Sequence, residues 1–142
     1  MRQKELRLAL ICYGGVSLAI YMHGITKEVW KLAQASRDFH DGTRIDQCSR
    51  GVYYDILDWL ERETGTRLRI LPDIIAGASA GGINGIFLSE AILSGRSLDP
   101  LTDLWLDTAD VDELLDPDAR PLSRFSKFWA EPIAWMALGR KG

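Results

Sequence analysis

Residues 77–81, Gly77-Ala78-Ser79-Ala80-Gly81, follow the pattern Gly-x-Ser-x-Gly. That spacing holds a serine on a sharp strand-to-helix turn with its hydroxyl exposed, and its neighbours must be small because the following helix packs close. Apolar Ile74-Ile75-Ala76 precede the serine and the stripe Ile83, Ile86, Phe87, Ile92 and Leu93 follows it, so the sequence predicts Ser79 at a helix N-terminus. Backbone N–H groups and the helix dipole there can stabilise a developing oxyanion, which suits nucleophilic acyl transfer. Two other uses of such a turn compete. A serine capping a glycine-rich helix start needs the same residue types. A phosphate loop is the weaker rival, since no Gly-Lys-Ser/Thr ending is present and neither glycine cluster spells Gly-x-Gly-x-x-Gly.

A serine nucleophile needs a base. The two histidines, His23 and His40, both precede Ser79, so the order Ser, Asp or Glu, His of an α/β-hydrolase cannot be met within these residues. His23 falls in a predicted helix and His40 in a polar loop, and for each a surface or capping role outweighs catalysis. Cys12 and Cys48 stand 36 positions apart with no CxxC and no neighbouring His pair. They support neither a zinc site nor a redox pair and fit a reduced cytosolic setting.

The elements that must hold the serine follow from periodicity. Leu6 to Tyr13 is a short apolar run closed by Gly14-Gly15, as a buried parallel strand ends at a tight turn. From about 16 to 35, Tyr21, Ile25, Val29, Leu32 and Ala33 recur at helical spacing and predict a helix with that face buried. Residues 36–50 are polar and contain Asp41-Gly42, which reads as a loop. Val52, Tyr53, Ile56, Leu57 and Leu60 predict a second helix ending near Thr64-Gly65. Arg69 to Ala76 supplies the next strand, with Pro72 at its edge or before its paired part because proline cannot donate to the ladder. A third helix ends near Ser94-Gly95 and a short one follows Pro100. Strand, glycine turn, helix thus occurs twice, which predicts an α/β fold with a mostly parallel sheet and helices on both faces.

The 142 residues, 46% hydrophobic and 26% charged, suffice for one core and exclude disordered, collagenous and disulfide-scaffold classes. The net charge of −3 gives no basic footprint for nucleic acid. Eight acids and no Lys or Arg occupy 99–118, then five bases and one acid occupy 119–142, which reads as a solvated acidic helical face followed by a basic one. The start, Arg2, Lys4 and Arg7 before an apolar run, lacks the cleavage site of a secretory signal. No apolar stretch approaches the about 18 residues of a membrane span. A cytoplasmic protein, at most peripheral to a membrane, is the expectation.

The segment from Asp73 to Asn84 resembles the nucleophile region of patatin-like phospholipases, and the Gly14-Gly15 turn resembles that family's glycine-rich oxyanion loop. Both motifs come in the family's order, each between a strand and a helix, and the resemblance spans about residues 6–95. The stretch from Tyr13 to Trp30 is similar to the start of bacterial patatin-related proteins. The resemblance implies a three-layer α/β/α fold with a mostly parallel central sheet, and lipid acyl hydrolysis by a Ser-Asp dyad without cofactor or metal. Ser79 would be the nucleophile, with Gly77, Ala78, Ala80 and Gly81 forming its elbow. The N–H groups of Gly14, Gly15 and Val16 would bind the oxyanion, and the partners would be lipid or acyl esters.

Two departures stand out. The family's oxyanion loop has a longer glycine run with a basic residue. Its dyad aspartate lies in an Asp-Gly motif after the serine, whereas the sole Asp-Gly here, Asp41-Gly42, precedes it and none of the seven later aspartates is followed by Gly. The expectation is that residues 1–142 are the N-terminal part of a single patatin-like domain whose base lies beyond residue 142. A soluble esterase or thioesterase and a non-catalytic lipid-binding fragment are the alternatives. Asn84 and Gly82 are expected to serve the turn and helix packing.

Overall fold

The structure, a computed structural model, describes residues 2–15 and 18–108. Val16 and most of the acidic and basic stretches lie outside the described residues. The described elements run β1 (Arg2–Cys12), α1 (Ala19–Asp41), α2 (Ser49–Thr64), β2 (Thr66–Gly77), α3 (Ala80–Ser94) and α4 (Asp99–Thr108). β1 and β2 pair in parallel, from Arg2 opposite Thr66 to Cys12 opposite Gly77. The fold is α/β, as the alternation of strand, glycine turn and helix predicts.

Pro72 lies inside β2, opposite Leu8, next to a register shift between Leu8 and Ala9. This is one of the few places a strand accepts a residue without an N–H. The shift leaves Asp73 over and reverses the alternation. Before it Leu8, Leu68 and Ile70 face the helices, packed with Phe39 and Leu32 of α1 and Leu57 and Tyr54 of α2. After it Ile75 takes over that face, its Cγ2 lying 3.0 Å from where a Cβ on Gly85 of α3 would stand. Ile11 and Ile74 point to the other face and are 64% and 60% exposed.

α1 runs six residues beyond its predicted end, through part of the expected loop. Tertiary contacts outweigh the polar composition there. Phe39 enters the core, the buried Ser36 Oγ accepts the Ile70 N–H at 2.9 Å, and Asp38 takes a two-pronged bond from Arg50 of α2 at 2.6 and 2.8 Å. Asp41-Gly42 is the helix stop, Gly42 adopting φ 70° with its N–H on Asp38 O. The buried faces also differ from the predicted stripes. α1 buries Met22, His23, Thr26 and Trp30 and leaves Tyr21 and Ile25 at the surface. α3 buries Ala80, Gly81, Asn84, Gly85, Leu88 and Ala91, while Ile86 and Leu93 are exposed. Where α3 meets the strands at Gly81 and Gly85, a Cβ would press on Cys12 and Ile75, so those positions take no side chain.

Candidate active site

β2 ends at Gly77 and α3 begins at Ala80, so Ala78 and Ser79 make the whole turn. Ser79 has φ 54° and ψ −133°. Among the described residues only Cys48 shares a positive φ without being glycine. Such a conformation costs on the order of 1–3 kcal/mol and persists only where the surroundings impose it. Three hydrogen bonds impose it here: the Ala78 N–H donates to Cys12 O at 3.1 Å, Gly81 N–H to Ala78 O at 3.0 Å, and Ile83 N–H to Ser79 O at 3.2 Å.

Steric exclusion completes the clamp. A Cβ on Gly81 would overlap the Cys12 carbonyl oxygen, and one on Gly77 would come within 2.7 Å of the Gly81 carbonyl. A Cβ on Gly14 would overlap the Ala78 carbonyl oxygen and reach 2.7 Å from Gly81 N and 2.9 Å from Ala80 N. The loop after β1 is therefore packed onto the first turn of α3. Around a Cβ on Gly15 there is no atom within 4 Å, so packing does not demand glycine there.

Ser79 is exposed, and its hydroxyl makes no cap bond to α3 and has no hydrogen-bond partner among the described residues. The capping alternative therefore fails. The hydroxyl projects from the N-terminal end of a 15-residue helix whose first N–H groups face the same loop. The N–H of the residue after a nucleophile is the usual first oxyanion donor on such an elbow. That points to Ala80, which the sequence marks only as a small flanking residue.

The Asn84 side chain, fully buried, ties this corner together. Its Nδ2 donates to Ala19 O of α1 at 3.1 Å and Ala80 O at 3.2 Å, and its Oδ1 accepts the Trp105 Nε1–H of α4 at 3.0 Å. The packing role expected for Asn84 thus has a definite form, though nothing in the sequence reveals its partners.

Neither histidine bonds Ser79. His23 is buried, not at the surface: its Nε2 shares a 2.8 Å hydrogen bond with Thr102 Oγ1, and Nδ1 has no partner among the described residues. Burial, then the Lys27 charge, holds its imidazole below the ordinary value, against the pull of Asp99. Lys27 itself pairs with Asp99 at 2.6 Å. His40 sits in the last turn of α1, its Nδ1 2.8 Å from Ser36 O, rather than in a loop. Asp41 ends the same helix, 22 residues and about 33 Å of rise from Ala19. It is too remote to serve Ser79.

A family profile described as patatin-like phospholipase matches residues 10–140. An uncharacterized membrane protein of Mycobacterium tuberculosis is 39% identical over 147 aligned positions, which cover 97% of this chain and 13% of that protein. The chain thus spans a small part of that relative's length. No solved structure matches.

Proposed function

Because the chain belongs to the patatin-like phospholipase family, we propose that Ser79 is the nucleophile of a lipid acyl hydrolase working through a Ser-Asp dyad. The observation that carries the reading is the Ser79 backbone, held at positive φ with an exposed, uncapped hydroxyl. Ser79 Oγ attacks the ester carbonyl while an aspartate takes its proton. The tetrahedral oxyanion sits against the Ala80 N–H and those of Gly14 and Gly15. Collapse releases the alcohol, which recovers the proton, and water then cleaves the acyl-serine. The base is an aspartate that no Asp-Gly motif after Ser79 marks within residues 1–142. Asp41 is excluded by distance, and Asp73, bound to Arg7 at 2.9 Å, lies four residues before the end of β2, about 13 Å of strand from the turn.

Among the described residues no helix is long and apolar enough to cross a membrane. A cytoplasmic enzyme touching lipid peripherally suits both this and the relative named as a membrane protein. The test is turnover by the naturally expressed protein of a short monomeric ester and of phosphatidylcholine vesicles, with Ser79→Ala beside it. Faster acyl release on vesicles, lost in Ser79→Ala, is expected. Equal rates on both substrates favour a soluble esterase, and turnover that survives Ser79→Ala refutes the assignment.

A further inference from the structure

Two helices start where the two glycine turns end, and one side chain joins their first residues. The Leu18 N–H donates to Gly15 O at 2.9 Å, which ties the loop after β1 to the start of α1. Ser79 O accepts the Ile83 N–H at 3.2 Å, which ties the elbow to the start of α3. Asn84 bridges these two starts, since its Nδ2 donates both to Ala19 O, next to Leu18, and to Ala80 O, next to Ser79. Gly14 also presses directly on the elbow, so loop and elbow are joined at two points, one by packing and one by the amide.

The amide has one orientation. Carbonyl oxygens only accept and an indole N–H only donates, so Nδ2 must face Ala19 and Ala80 while Oδ1 faces Trp105. Trp105 is buried, and α4, which carries it, is fixed to α1 by Thr102 on His23 at 2.8 Å and Asp99 on Lys27 at 2.6 Å. Burying an amide carries a desolvation cost that an apolar side chain of the same size avoids. What only the amide supplies is direction: a fully bonded buried network specifies one arrangement of the elements around it, whereas apolar repacking loses uniqueness before it loses stability.

We propose that Asn84, oriented by Trp105, is a positioning residue of the Ser79 centre that sets the separation between the elbow and the loop after β1. The inference rests on the hydrolase reading above. The Ala80 N–H comes from the elbow and those of Gly14 and Gly15 from the loop, so a shift of one against the other spoils their convergence on the oxyanion. That convergence acts in the transition state and little in substrate binding, so its loss falls on kcat rather than KM. Removing an oxyanion donor costs about 100- to 1,000-fold in kcat, and a misplacement of about 1 Å costs about 100-fold. Loosening the bridge leaves every donor present, so a loss of at least about tenfold is expected.

The experiment measures kcat and KM of the naturally expressed protein for p-nitrophenyl butyrate, with rates divided by the folded fraction from urea unfolding. Asn84→Ala is expected to lose at least about tenfold in kcat with KM within about twofold. Trp105→Phe, which keeps a ring but no N–H, is expected to lose about threefold, and the double variant no more than Asn84→Ala alone, because both act through one amide. Ser36→Ala, which breaks a buried bond between α1 and β2, is a comparably destabilised control that leaves kcat per folded molecule unchanged. If kcat per folded molecule is also unchanged in Asn84→Ala and Trp105→Phe, the amide is a stabilising contact alone, and the proposal falls with the nucleophile left standing. Losses that multiply in the double variant, or a raised KM with kcat kept, overturn it as well. Should Asn84→Ala fail to fold, the same split in Trp105→Phe decides. Turnover absent from the native protein, or surviving Ser79→Ala, removes the hydrolase reading and this role with it.

Discussion

Replacing Asn84 tests whether the corner behind Ser79 is held as described. Its two carbonyl acceptors, Ala19 O and Ala80 O, lie in helices and retain their backbone bonds, so each loses only a second hydrogen bond. At about 0.5–1.5 kcal/mol per bond, the three bonds of the amide amount to about 3 kcal/mol. Asn84→Ala should therefore lower the unfolding free energy by about 3 kcal/mol in urea, followed by tryptophan fluorescence. Asn84→Asp is nearly isosteric but aims a carboxylate at two carbonyl oxygens in a fully buried site. Its folded pKa must lie above the unfolded value of about 3.9, so its excess destabilisation is small at pH 4 and grows as pH rises toward 7. If Asn84→Ala costs under about 0.5 kcal/mol, or if Asp and Ala behave alike at every pH, the clamp does not exist in this form.

His23 favours the neutral state when folded, so the stability it contributes is complete above its unfolded pKa of about 6.5 and declines as pH drops from there toward the lower folded value. Melting temperatures between pH 7.5 and 5 should fall more steeply for the native chain than for His23→Gln. Gly14→Ala forces a Cβ into the Ala78 carbonyl and should cost about 1–3 kcal/mol, whereas Gly15→Ala, with open space around it, should stay within about 0.5 kcal/mol by the same urea assay. Ser36→Ala strips the buried Ile70 N–H of its acceptor and should cost about 1–3 kcal/mol, visible as faster hydrogen exchange at Ile70.

The turn was legible because its constraint is local: a serine between two glycines, after an apolar run and before a helix, leaves few backbone solutions. The parallel pairing of β1 and β2 followed from the same punctuation. Contacts distant in sequence decided the rest. Polar residues 36–41 are helical because Phe39 and Ser36 meet β2, which composition cannot show. Helical spacing gave the elements correctly, yet the buried faces of α1 and α3 are not the expected stripes, since Tyr21, Ile25, Ile86 and Leu93 are exposed. The one-residue excess at Asp73 sets which face Ile75 takes, and Pro72 marks its place without revealing its effect. Gly14 and Gly15 look alike in sequence and differ in the structure, one pressed on the elbow and the other in open space. His23 is buried by α4, an element whose docking no motif announces.

The central claim, that the strained and uncapped Ser79 is a nucleophile, is tested most directly by treating the naturally expressed protein with a fluorophosphonate and locating the adduct by peptide mass. Ser79→Ala and heat-unfolded samples serve as controls. The account predicts one phosphonyl group on Ser79 of the folded protein and none in either control. A folded protein that stays unlabelled, or that is labelled equally after Ser79→Ala or after unfolding, would contradict it.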